Sequence, residues 1–340
     1  MNEILNKIEN RCIFRLNTYG VPAKRINKEL DWFNENGGAE ALLLISNLIH
    51  FLESKQQPVG PGYGYTTCSL VCYGLGITDV RPTEWLLPFE RFTRSFRPDY
   101  PFVIETSQTG LDYVLRFLAM NADFPEGIDR PDQNTFTVTF LNDDKYTTLR
   151  LVVYVNENLR LHSSHRRSDL DRMVTRLSGH RCVRLFDNEN MDNWLKSFQP
   201  SSFLELCLLE ALNFPGRSEM LTDLVSRKFG SSSYTTGFDV IDMALKESYG
   251  LLVYQEQQMM IRKIWDGLDS GEDMPAEIHS LLDVPFKDLA CKGHTISRTM
   301  QLLAKRPLNE VLSDAAKEER IIKDKIMESI LNKKSNFENG

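Results

Sequence analysis

No apolar run in this 340-residue sequence approaches the length of a membrane span, which argues against a membrane-crossing helix. The first ten residues hold no apolar core of the kind an export signal needs. Cysteine is sparse: six residues, at 12, 68, 72, 182, 207 and 291, with no Cys-x-x-Cys pair among them. Cys68 and Cys72 stand one helical turn apart, which suits small core residues, and reduced thiols in a cytoplasmic setting are the expectation. A large excess of one charge is also missing. The net charge of −7 excludes a protein whose whole surface grips nucleic acid, while leaving room for a local basic face. What remains is a globular composition, 41% apolar and 26% charged, in a chain long enough for two or three compact units.

The most informative stretch is Pro58 to Phe92. Gly60, Gly62 and Gly64 alternate with Pro and Tyr, a Thr-Thr pair follows, and Cys68, Leu70, Val71, Cys72 and Leu75 recur at helical spacing. A glycine-rich loop entering a helix N-terminus offers free N–H groups and close approach to an anion. The same pattern also makes a plain tight turn, so the motif alone leaves phosphate binding open.

Periodicity predicts a helical region over residues 1–38, with Ile26, Leu30 and Phe33 in the core and Gly37-Gly38 as the stop. A helix apolar almost all round runs from Ala39 to Glu53, Phe102 to Thr106 reads as a strand, and Gly110 to Asn121 as a helix. Arg81 to Phe92 reads as irregular. From Thr135 the period shifts to two: Thr135–Leu141 and Tyr146–Val155 pair across an Asn142–Lys145 turn, and Leu159–Leu161 is expected to extend a β-meander. Leu159 to Arg184 then carries seven arginines against two aspartates, either as a solvated basic helix or as a phosphate-contacting surface. His162, His165, His180 and Cys182 lie in this segment without a recognised zinc spacing, and no metal site is assigned. Beyond Pro200 the chain reads as helical. Ser202 and Glu205 form a capping box, and helices follow over Ser218–Phe229, Val240–Lys246 and Leu251–Leu268. A last helix over Leu308–Leu331 carries both charge signs and is expected to pack on the protein, not on a membrane.

In this order, several segments resemble the catalytic core of the bacterial C-family replicative polymerases, the DNA polymerase III alpha subunits. They are Leu30–Lys55, P-V-G-P-G-x-G, S-L-V-x-Y-x-L-G-I-T-D-V-x-P and F-E-R-F; then Phe186–Gly216; then Tyr249-Gly-Leu-Leu-Val-Tyr-Gln-Glu-Gln257, with a weaker match at Lys292-Gly-His294. The resemblance implies an α+β fold in three parts. A polymerase-β-type palm remnant with the Gly-rich loop covers 1–130, a β-meander and arginine-rich segment 131–185, and an all-helical fingers-like region 186–340. It also implies that the chain starts inside the palm and stops before the family's duplex-binding and clamp-binding parts.

The departures bear on chemistry. Where the family continues R-G-S-x-x-G-S around the triphosphate, this chain has Tyr63-Gly64-Tyr65-Thr66-Thr67-Cys68-Ser69, keeping only Gly64 and Ser69. Tyr63 and Tyr65 are expected to fill the nucleotide's space, and Thr66 and Thr67 are candidate caps. Where the family's P-D-x-D-x-D strand holds two magnesium ions, Phe102, Ile104 and Thr106 stand at the acid positions, with Glu105 on the opposite face and Asp99 out of register. The expectation is therefore an alpha-subunit-like protein without catalytic residues or a cofactor, acting as a DNA- or replisome-binding module. Gly60, Gly62, Gly64 and Ser69 would be the nucleotide-site remnant, and Arg160, Arg166, Arg167, Arg172, Arg176, Arg227, Lys228 and Lys292 the DNA-contact candidates. The alternative is an active Mg2+-dependent nucleotidyltransferase using displaced acids such as Asp99, Glu105 or Asp112.

Overall fold

The computed structural model describes residues 3–16, 23–96, 101–121, 128–129, 132–142, 145–157, 159, 167–178, 185–186, 189–213, 217, 219–267, 274–305 and 308–338. The chain is α+β and divides into two compact units. The first comprises Met1–Ser164, Tyr254–Lys263 and Leu282–Gln301; the second comprises His165–Val253, Ile264–Leu281 and Leu302–Gly340.

In the first unit, α1 (Glu3–Leu16), α2 (Ala23–Asn36) and α3 (Ala39–Ser54) precede the Gly-rich loop. Ile26, Leu30 and Phe33 turn the buried face of α2 inward, and two left-handed glycines, Gly37 and Gly38, break the chain between α2 and α3. After the loop come a 3-10 turn over Gly64–Cys68 and the five-residue α4 (Leu70–Gly74).

F-E-R-F is not irregular, as the local sequence suggested, but opens α5 (Phe89–Ser95), with extended Pro88 just before it. Tertiary packing overrides the proline- and aromatic-rich composition here. Phe89, Phe92 and Phe96 recur at helical spacing and meet Trp32 and Phe33 of α2 in edge-to-face contacts.

The sheet has the order β1-β4-β3-β2, from β1 (Phe102–Thr106), β2 (Ile128–Asp129), β3 (Thr135–Asn142) and β4 (Lys145–Val155). The β3–β4 hairpin closes at Asn142 and Lys145 as the alternation predicts. Its outer partners differ from the expected meander. β1 pairs in parallel with β4, β2 pairs antiparallel with β3, and Leu159 lies outside any strand while Arg160 and Leu161 fall outside the described residues. Asn156 N–H donates to Thr106 O and Leu159 N–H to Asn156 O, so the chain makes a turn at Asn156 directly after β4. One face, made of Phe102, Ile104, Phe136, Val138, Leu149, Leu151 and Val153, is buried. The helices α3 and α6 (Gln108–Asn121) pack on this sheet.

The second unit contains α7 (Arg167–Ser178), α8 (Glu189–Phe198), α9 (Phe203–Leu212), α10 (Met220–Lys228) and α11 (Asp239–Leu245). The remaining helices are α12 (Gln255–Gly267), α13 (Ala276–Leu282), α14 (Lys292–Lys305) and α15 (Leu308–Glu338). Of these, Gln255–Lys263 and Lys292–Gln301 belong to the first unit. The helix expected from Leu251 starts only at Gln255. Left-handed Tyr249 and Gly250 turn the chain, and Leu251, Leu252 and Val253 are buried without helical structure.

Candidate functional site

The Gly-rich loop is held against the edge of β1. Gly60 N–H donates to Glu105 O (2.9 Å), Thr106 Oγ1 to Pro58 O (2.8 Å), and Val59 bridges Thr106. Gly62 has φ of 114°, and a Cβ there would overlap Thr78, whose hydroxyl donates to Pro61 O (2.8 Å). Both the backbone and the packing therefore demand glycine at this position. Thr66 and Thr67 do not cap α4. Their hydroxyls donate back to Tyr63 O and Gly64 O, and the cap is Ser69, whose Oγ accepts from Cys72 N–H (3.1 Å).

At this helix start sits a residue that the motif comparison missed. Glu29 of α2 is fully buried, and its Oε2 accepts from Ser69 Oγ (2.8 Å) and Val71 N–H (3.0 Å), while Oε1 accepts from Arg25 Nε (2.5 Å). Because α4 spans only five residues, local donors matter here more than a long helix dipole. Those donors are already given to an internal carboxylate. The available signal was that Glu29 lies three residues after Ile26 and four before Phe33, on the apolar face of α2.

A second buried carboxylate lies nearby. Glu256 of the Y-Q-E-Q segment accepts from Lys292 N–H (2.9 Å) through Oε2, and the thiols of Cys291 (3.5 Å) and Cys68 (3.9 Å) reach its Oε1. Burial first, then the Glu256 charge, pushes Cys291 up to about 12 and Cys68 well above the ordinary thiol range, so both stay protonated. Three of the segments that carry the resemblance, F-E-R-F, the Tyr254–Gln257 part of Y-Q-E-Q and Lys292–His294, thus meet beside the loop within the first unit. Arg91 of F-E-R-F donates to Gln255 Oε1 (3.0 Å), Ser297 to Gly62 O (2.6 Å), and Gly293 is packed so tightly on Thr67 that it has no room for a Cβ.

The two tyrosines of the loop differ. Tyr65 is a core ring, 4% exposed, among Phe92, Phe96 and Phe102. Tyr63 is half-buried, 4.1 Å from the His294 ring and 5.7 Å from Tyr154. Burial and the neighbouring Arg298 charge lower His294 to about 4, so its ring is neutral at physiological pH. Burial, then Tyr154 and Glu105, raises the Tyr63 phenol above its ordinary value.

Strand alternation puts Phe102, Ile104 and Thr106 on the buried sheet face, where Phe102 and Ile104 pair with Leu151 and Val153. Glu105 points to the other face and accepts from Gln301 Nε2 (2.8 Å). Asp99 lies outside the described residues. Among the described residues, no three His, Cys, Asp or Glu side chains gather as a metal site.

The basic candidates separate by environment. Arg160 and Arg166, with His162, His165, His180 and Cys182, lie outside the described residues. On α7, Leu170, Val174 and Leu177 are buried. Arg167 is partly exposed beside Asp171 (3.9 Å), Arg172 is exposed and pairs with Asp169, and Arg176 donates to Asn309 (3.3 Å). Arg227 and Lys228 turn inward. Arg227 donates to Tyr249 O (3.1 Å), and Lys228 to Gln199 O (2.7 Å) and Glu205 Oε2 (2.7 Å). Tyr249 OH donates to Glu205 Oε1 (2.5 Å). The capping box is therefore only half formed. Glu205 N–H meets Ser202 Oγ, but its carboxylate takes Ser201 N–H, Lys228 and Tyr249 instead of Ser202 N–H. Lys292 is buried and not presented at the surface.

Comparison with known proteins matches this arrangement. Residues 3–116 fit the bacterial DNA polymerase III alpha NTPase domain, and residues 125–274 fit the bacterial DNA polymerase III alpha subunit finger domain. The chain is 37% identical over 97 residues to DNA polymerase III subunit alpha of Haemophilus influenzae, covering 28% of this chain and 8% of that subunit. It is 35% identical over 95 residues to the Staphylococcus epidermidis subunit (28% and 9%) and 34% identical over 101 residues to that of Staphylococcus aureus (29% and 10%). The matched segment thus spans about a tenth or less of each relative. The chain carries the NTPase-domain and finger-domain regions of bacterial DNA polymerase III alpha and is a partial homologue of that subunit.

Proposed function

We propose that this chain keeps the polymerase III alpha scaffold, with a palm-like first part and fingers-like helices, but does not transfer nucleotides, and that it serves as a binding module in DNA replication. The observation that carries this reading is Glu29. The Ser69 hydroxyl and Val71 N–H at the end of the Gly-rich segment hydrogen-bond its buried carboxylate. A phosphate entering there would have to displace Glu29 and leave a desolvated carboxylate without its partners, a cost of several kcal/mol. The sheet positions expected to carry metal ligands support the same reading, since Phe102 and Ile104 offer no oxygen and lie in the core. Primer extension by the purified chain with Mg2+ and all four deoxynucleotides tests it. No extension is expected. Extension that is lost in Asp99→Ala or Glu105→Ala would overturn the proposal in favour of displaced acids.

Among the described basic candidates we assign the DNA backbone to Arg172 and Arg176 of α7, a reading supported by the engagement of Arg227 and Lys228 inside the second unit and by the burial of Lys292. Duplex binding followed by fluorescence anisotropy should weaken in Arg172→Glu/Arg176→Glu. The slope of log K against log salt should fall by about 1–2, as expected for one or two lost phosphate contacts. If the duplex does not bind even at low salt, the DNA role fails and a replisome protein becomes the partner to seek.

A further inference from the structure

A cleft of about 780 Å³ opens in the first unit between α2 and α5, with Lys24, Lys28, Asp31, Trp32 and Glu35 on its α2 side and Glu90 across it on α5. Helical geometry accounts for this lining. At 3.6 residues per turn Lys24, Lys28, Asp31 and Glu35 fall within an arc of about 60°, and Trp32 flanks that arc. Trp32 is partly exposed, and edge-to-face contacts with Phe33, Phe89, Phe92 and Phe96 fix its indole. A flat aromatic wall already held by its own packing needs no ordering when a ligand stacks on it.

The charges around the indole are not all used internally. Lys28 pairs with Glu90 (3.1 Å), and Lys263 of the same unit approaches the same carboxylate (3.5 Å). Asp31 and Glu35, by contrast, are exposed and make no ion pair or side-chain hydrogen bond among the described residues. They stand one helical turn apart, and Glu35 follows Trp32 by three positions, so two unpaired carboxylates and the indole border one end of the cleft. Lys24, the unpaired base, lies about 10 Å along the helix from Asp31 at 1.5 Å per residue, too far to neutralise that end. An indole bordered by carboxylates receives a flat cation. The ring quadrupole and both charges attract it, and a guanidinium can stack while its N–H fork reaches the acids. An anion would meet repulsion there, and an apolar group would desolvate the carboxylates without pairing them.

We propose that this end of the cleft binds an arginine side chain presented by a partner protein, stacked on Trp32 and paired with Asp31 and Glu35. Fluorine NMR on the full chain labelled with fluorotryptophan tests this, with N-acetylarginine amide as the probe and the Trp32 signal assigned from Trp32→Phe. The expected result is a saturable shift confined to Trp32, with Trp85, Trp194 and Trp265 unmoved and a Kd on the order of 10 mM, the weak affinity of a single side chain. Asp31→Asn/Glu35→Gln should weaken binding about fivefold while keeping the wild-type circular dichroism, because both side chains are exposed. N-acetylcitrulline amide, which has the same shape without the charge, should give no saturable shift. N-acetyllysine amide should bind more weakly than the arginine probe, because an ammonium cannot stack and fork at once. The arginine set inside an uncharged Gly-Ser-Arg-Ser-Gly peptide should bind at least as tightly as the free amide. No saturable shift with the arginine probe, equal shifts at all the tryptophans, or an equal response to citrulline overturns the cation site. Full affinity in Asp31→Asn/Glu35→Gln overturns the role of the carboxylates, and lysine binding as tight as arginine overturns the guanidinium assignment. Loss of binding in the peptide overturns a protein source in favour of a free small cation.

Discussion

Replacing Glu29 by Gln tests the structural core of the functional reading, because it keeps the shape and removes one acceptor and the charge. The carboxylate serves Arg25 Nε on one oxygen and Ser69 Oγ with Val71 N–H on the other. An amide can satisfy only one side. With its nitrogen toward Arg25, two donors face each other and the guanidinium, 21% exposed, loses its counter-charge. With its nitrogen toward α4, the Val71 N–H loses its acceptor. An orphaned buried donor costs about 1–3 kcal/mol, and breaking a buried ion pair costs about 3–5 kcal/mol when both partners are fully enclosed. Because Arg25 is partly solvated, about 3–4 kcal/mol in total is expected. For a cooperative unit of this size that lowers Tm by roughly 6–16 °C. The first unit can be followed alone. Trp32 and Trp85 belong to it, so fluorescence in a Trp194→Phe/Trp265→Phe background reports its unfolding. A double-mutant cycle with Ser69→Ala should give a coupling of about 1 kcal/mol or more. A loss below about 1 kcal/mol for Glu29→Gln, or additivity with Ser69→Ala, would refute the claim that Glu29 is the anion this loop is built around.

Gly62→Ala should cost about 2–5 kcal/mol in urea unfolding, from left-handed strain plus overlap with Thr78, whereas Gly64→Ala, at φ of 56° in open space, should cost only about 1–2 kcal/mol; equal losses would contradict the close packing at Thr78. Lys228→Met should destabilise the second unit by about 2–4 kcal/mol and leave DNA affinity unchanged, because its ammonium sits on Glu205 and above the Phe198 ring; a salt-dependent loss of DNA binding without loss of stability would reverse that assignment. Burial tends to raise the Glu205 carboxyl, but Lys228, Tyr249 OH and Ser201 N–H together hold it below its ordinary 4.5. Its stabilisation is therefore full above about pH 4.5 and lost as pH falls through the lowered value, so Glu205→Gln should flatten the acid limb of the stability profile, and an unchanged limb would refute this.

Much of this arrangement was legible in the residues, and what was not has identifiable physical causes. Strand alternation alone put Phe102, Ile104 and Thr106 on one face and Glu105 on the other, because a period of two leaves no freedom once the strand exists. The β3–β4 turn was equally local. The partners of that hairpin were not, since β1 reaches β4 in parallel across a long connection and no nearby pattern encodes that choice. F-E-R-F was misread for the related reason that its aromatic spacing gains meaning only when Trp32 and Phe33 stand opposite.

The same distinction explains why the loop reads differently in three dimensions. As a string, Gly-x-Gly-x-Gly before a helix advertises unsatisfied N–H groups, and the natural inference is an external anion. Whether those groups are free depends on residues far away in sequence, and here Glu29 lies 40 positions before Ser69. Buried polar groups must be paired, so the informative question is which side chain pairs them. The basic residues obey the same rule in the opposite sense. Arg227 and Lys228 look like a DNA-contact pair in sequence, yet Tyr249 and Glu205, themselves parts of the matching segments, take up their charges and hydrogen bonds. The polar residues that mark descent from a polymerase are therefore engaged with one another. Among the described basic candidates, the arginines of α7 stand outside those internal pairs.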